Sequence, residues 1–164
     1  MQIGESFVGS GVNAAHINTV LGERSGPVGT AWATALATPS AGHVPFMAVL
    51  APGVAVKPLT LFVSKAAIAG EVHGNLTWGA AQAGVAGGVG DAVAKGVVPE
   101  ASLDDLALIV AVWVNPGADD AEAVYRNNRT ATATALANGQ AGLPTAADIA
   151  AHVARPSNPF YAAS

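Results

Sequence analysis

The chain has 164 residues, 51% of them hydrophobic and only 11% charged, with seven basic against eleven acidic side chains and a formal net charge of −4. No basic cluster is present, which argues against nucleic acid and anionic membranes as partners. The absence of cysteine excludes a disulfide framework, a thiol nucleophile and thiolate metal ligands.

This length suits one domain spanning 1–164 with a substantial core. A typical soluble chain carries about 25% charged residues. So little charge predicts that further copies of the chain cover part of the surface, as in a homo-oligomer. A surface of Ala, Gly, Thr and Asn is the alternative. The start of the chain has no basic segment leading into an apolar run, and the apolar stretch "LALIVAVWV" (106–114) is about half a membrane span. A cytoplasmic protein with no membrane contact is expected.

Residues 2–9 and 14–21 read as two strands joined through Gly9-Ser10-Gly11. Alternation in the second puts Ala15, Ile17 and Thr19 on one face and His16, Asn18 and Val20 on the other. Ser25 and Gly26 before Pro27 mark a helix start, with Trp32 and Leu36 at helical spacing. Segments 44–52 and 58–68 predict two more strands. The second sets Lys65 and Ala67 in one row with Leu59, Leu61 and Val63. Residues 77–99 predict a helix striped by Trp78, Ala81, Val85, Val89, Ala92 and Val93. Its interior glycines each cost up to about 1 kcal/mol against alanine, which calls for close backbone packing or a ligand. A buried strand follows at 106–114. Then comes a helix with Asp119 and Asp120 at its start and Asn138-Gly139 at its stop. The tail from 141 predicts one short helix before an irregular end. The pattern is an α/β domain of the α+β type, a mixed sheet with packed helices.

Several familiar chemistries are missing. Gly84, Gly87, Gly88 and Gly90 fit neither a dinucleotide fingerprint nor a phosphate loop. His16, His43, His73 and His152 lack close metal-ligand spacing, so no metal is expected, and no Gly-x-Ser-x-Gly elbow occurs. A scattered polar set remains: His16, Asn18, Lys65 and Gln82. His16 suits either a hydrogen-bonded core position or a proton donor in a small-molecule pocket. Lys65 suits a snorkelling strand end, and Gln82 the exposed face of its helix.

The segments "GESFVGSGVNAAHIN", "MAVLAPGVAVKPLTLFVSKAAI" and "WGAAQAGVAGGVGDAVAKGVVPEASLDDLALIVAVWVNPGADDAEAVY", with the ending "NPFYAAS", resemble the formaldehyde-activating enzyme family nearly end to end. The resemblance implies a fold like ribosomal protein S5 domain 2, assembled as a homopentamer with sites between subunits. It implies condensation of formaldehyde with tetrahydromethanopterin to the methylene derivative and water, within one-carbon metabolism and formaldehyde detoxification. No permanently bound cofactor is implied; the reduced pterin is a co-substrate. His16 matches the family's proton donor. An imidazole suits that task because its unperturbed pKa of about 6.5 lets it donate and recover protons near neutrality.

The family's substrate-binding positions fall on Asn18, Met47, Lys65, Ala67 and Gln82. Lys65 and Gln82 match, and Met47 replaces a usual leucine of similar volume. Asn18 stands where aspartate is usual, which removes a charge expected beside His16. Ala67 stands where threonine is usual, which removes a hydroxyl. These departures imply a divergent member. The alternative function is a catalytically weak homologue that binds a pterin, a folate or an aldehyde adduct as a sensor or carrier.

Overall fold

Strands β1 (Gln2–Val8) and β2 (Ala15–Glu23) pair antiparallel around a 3-10 turn at Gly11–Asn13. The computed structural model describes residues 1–159 and 161–162, so Phe160, Ala163 and Ser164 of the ending "NPFYAAS" lie outside the described residues. Helix α1 (Pro27–Ala37) begins at the expected proline, whose missing N–H costs nothing in a first turn. The strand expected over 44–52 is divided into β3 (Pro45–Met47) and β4 (Val49–Ala51), and β4 pairs with β5 (Val54–Ala55). Buried Ala48 makes the division. Its N–H donates to Thr60 O at 2.9 Å, while its carbonyl accepts from Val56 N at 3.2 Å.

β6 spans Leu59–Ser64 and stops short of the expected 58–68. Helix α2 (Glu71–Asn75) runs through a π-helical segment at Leu76–Ala81 into α3 (Gln82–Ala94). The wider π turn shifts the phase of the apolar stripe, so Ala81, Val85, Val89 and Ala92 are buried but Trp78 is 50% exposed. The apolar run forms β7 (Leu106–Trp113). Helix α4 (Ala121–Ala141) is capped by Asp120, whose side chain accepts from Ala123 N at 2.9 Å. It runs past Asn138-Gly139 and ends at Gly142, whose φ of 68° is the left-handed turn that glycine adopts freely. The short tail helix is α5 (Ala146–His152), and β8 (Ser157–Asn158) pairs with β9 (Tyr161–Ala162) beyond it.

The main sheet has the order β1-β2-β7-β6-β3; β6 and β7 are parallel and the other pairs antiparallel. It is a mixed sheet in an α/β protein. Helices α3 and α4 bury one face over Ile17, Phe62, Leu108, Val110 and Val112. The glycines of α3 make this layer thin. A Cβ on Gly84 would lie 2.5 Å from Tyr125 O, and one on Gly88 would lie 2.5 Å from Arg129 O. Close helix packing, the first of the two compensations expected, accounts for both.

Candidate active site

On β2 the alternation holds. Ala15, Ile17 and Thr19 are buried beneath α4, while His16, Asn18 and Val20 are partly exposed on the opposite face. The strand register sets His16 between Phe7 of β1 and Trp113 of β7, and Asn18 between Glu5 and Ala111. Helix α1 lies over the far end of this same face. There Gly22 admits Val28; a Cβ on Gly22 would lie 2.7 Å from Val28 Cγ2. The His16 end stays open.

The His16 side chain is 36% exposed, and its Nε2 lies 3.0 Å from Oε1 of Glu5. A carboxylate only accepts, so the imidazole N–H donates. The Phe7 ring packs beside the imidazole with centroids 5.7 Å apart. Lys65 lies one residue beyond β6, and its backbone N–H still donates to Val112 O at 2.8 Å, which prolongs the parallel ladder. Its Nζ donates to Asn18 Oδ1 at 2.9 Å. The expected row of Lys65 and Ala67 on a strand is therefore corrected: the strand has ended, and Ala67 sits in the exposed turn after it. The oxygen of Asn18 faces Lys65, and the carboxylate beside His16 comes from β1.

Met47 ends β3 opposite Leu61 and is 38% exposed. Gln82 is buried, which removes the exposed helix face as a reading of it. Its Oε1 accepts from Val49 N at 3.0 Å and its Nε2 donates to Val49 O at 3.1 Å. The amide is thereby committed to the backbone two residues after Met47. His16, Asn18 and Lys65 form one polar group with Glu5; Gln82 acts on the β4 segment. An apolar cavity of about 260 Å³ lined by Arg24, Gly29, Trp32, Ala33, Leu59 and Ala107 contains none of these residues.

Sequence reasoning passed over Glu5 and His73. The signal for Glu5 was its alternation with Ile3 and Phe7, which puts it on the His16 face once β1 and β2 pair. His73 is the buried structural histidine of the chain. Its Nδ1 accepts from Ala69 N at 3.1 Å, so its Nε2–H donates to Val114 O, also 3.1 Å away. This bridge ties the segment after Lys65 to the end of β7. Nothing in the spacing of His73 distinguished it from His16. Among the described residues no three His, Asp or Glu side chains are grouped to hold a metal ion.

The profile of the formaldehyde-activating enzyme (Fae) family matches residues 3–161. The chain belongs to this family. Every residue of the polar group lies inside the match. The chain is 42% identical over 158 residues to the 5,6,7,8-tetrahydromethanopterin hydro-lyase of Methanosarcina barkeri, covering 96% of this chain and 89% of that relative. It is 39% identical over 142 residues to the bifunctional enzyme Fae/Hps of Methanothrix thermoacetophila and 38% identical over 143 to that of Methanosphaerula palustris. The chain spans only 36% of the length of those bifunctional relatives. No helix among the described residues is long and apolar enough to cross a membrane.

Proposed function

We propose that the chain condenses formaldehyde with tetrahydromethanopterin, or a related reduced pterin, to the methylene derivative and water in the cytoplasm. The observation that carries this reading is the half-exposed His16 on an open sheet face, beside Asn18 and Lys65, in a family with a named hydro-lyase at 42% identity. A pterin nitrogen adds to the formaldehyde carbon, and its proton passes to the oxygen to give a carbinolamine. His16, as general acid, protonates the hydroxyl, which leaves as water. The second pterin nitrogen attacks the resulting iminium carbon and loses its proton, which returns to His16. The sum is one formaldehyde and one pterin in, one methylene-pterin and one water out. General acid catalysis of this type contributes about 10²–10⁴-fold.

Lys65 and Asn18 are the polar contacts for the pterin, and Met47 and Ala67 supply apolar surface beside them. Gln82 acts through the Val49 segment. The assembly is a homopentamer with sites between subunits, a reading supported by the exposed Ile3, Leu36 and Met47 and by the scarcity of charge. Ala67, which lacks the hydroxyl usual at its position in the family, favours a second reading, a binding protein with little turnover. Formaldehyde-dependent consumption of several reduced pterins separates the two. His16→Ala should lower kcat by about 10²–10⁴-fold with the fold retained, and native mass spectrometry should show five chains. Binding without turnover by the parent chain decides for the second reading.

A further inference from the structure

Among the described residues the carboxylate of Glu5 has one partner, the imidazole of His16. Its backbone is held separately: Asn138 of α4 donates from Nδ2 to the Glu5 carbonyl at 2.9 Å. The side chain is 60% exposed, and exposed ion pairs contribute little to stability. Its geometry is nevertheless specific. Nε2 of His16 meets the carboxylate, Phe7 bounds the ring, and Nδ1 makes no hydrogen bond to a described residue. Lys65, the nearby cation, is engaged with Asn18 and does not draw the Glu5 carboxylate away.

We infer that Glu5 is the positioning residue for His16, fixing the ring so that Nδ1 is the nitrogen that gives up and recovers the proton. The hydrogen bond made by one ring nitrogen sets the protonation of the other. With Nε2–H donating to Glu5, the neutral ring carries its lone pair on Nδ1, and the imidazolium carries its transferable proton there. A ring flip would break the bond to Glu5, so the carboxylate also holds the ring in one of its two orientations. It thus occupies the role that an orienting carboxylate plays behind other catalytic imidazoles. The inference rests on the proposed role of His16 as proton donor.

Glu5→Gln and Glu5→Ala test it in the assembled protein. Loss of the orienting partner should cost part of the about 10²–10⁴-fold that the general acid contributes, read here in kcat, with KM changed by less than about threefold. Acetate should restore part of the rate of Glu5→Ala, and not of Glu5→Gln, where the amide fills the space. In ¹⁵N-histidine spectra the parent should show the Nε2–H tautomer of His16, and both variants a mixture. Parent-like kcat in both variants overturns the inference. So does a fall in kcat that acetate does not relieve while the tautomer stays unchanged, because that result marks a structural role. The His16→Ala variant separates the two levels: if it keeps the full rate, the proton-donor reading itself fails.

Discussion

Lys65 Nζ donates to Asn18 Oδ1 at 2.9 Å, bridging the end of β6 to β2 across the intervening β7. The pair is exposed, and the asparagine oxygen that receives the lysine is the atom a carboxylate would present at the same place. Asn18→Asp therefore acts on Lys65 first. An exposed charge pair gains about 0.2–1 kcal/mol, so KM for the pterin should change by less than about fivefold. The kcat should stay within about twofold of the parent. Steady-state kinetics checks this; a tenfold rise in kcat would place the new carboxylate at the reacting centre.

Gln82 carries both amide ends on Val49. Gln82→Leu keeps most of the volume and leaves the Val49 N–H and carbonyl without that partner, at a cost of about 1–3 kcal/mol. For a chain of this size each kcal/mol lowers Tm by about 2–4 °C. Differential scanning calorimetry should show that fall, and hydrogen exchange should quicken at Val49.

Gly88 faces the α4 backbone so closely that an added Cβ would lie 2.5 Å from Arg129 O and 2.8 Å from Thr132 Cβ. Gly88→Ala has better helix propensity by about 1 kcal/mol, yet should destabilise the protein, because overpacking costs about 1–3 kcal/mol and the neighbour here is backbone. A Cβ added to Gly90 would meet nothing within 4 Å, so Gly90→Ala should be neutral or stabilising. Urea denaturation should show the Gly88 variant less stable than the parent and the Gly90 variant at least as stable.

Arg129 of α4 holds Asp91 of α3 by two hydrogen bonds of 2.7 Å. The guanidinium hydrogen bonds keep the Asp91 carboxyl below its usual value of 3.8 against the opposing effect of burial. Because the folded pKa is depressed, this stabilisation is fully present above about pH 4 and is lost as pH falls through the folded value. Urea denaturation of the parent and Asp91→Asn should give a constant gap from neutral pH to about pH 5, closing in stronger acid. A gap that widens on acidification would contradict this assignment.

Local periodicity was legible from the residues alone. Two-residue alternation set His16 and Asn18 on one face of β2, because successive side chains of any strand point to opposite sides. The interior glycines of α3 called for close backbone packing or a ligand, but only the structure showed that Gly84 and Gly88 meet α4 while Gly90 faces open space. The motifs that resemble the family are likewise linear. Tertiary structure alone decided which partner each of these residues meets. Glu5 reaches His16 through the β1–β2 register, Lys65 reaches Asn18 from the parallel ladder to Val112, and Gln82 turns inward because Val49 offers both a donor and an acceptor. Those choices depend on where distant segments close on one another. Side-chain period is a property of one residue's backbone geometry, whereas a partner 47 residues away, as Lys65 is from Asn18, is selected by the packing of the whole sheet.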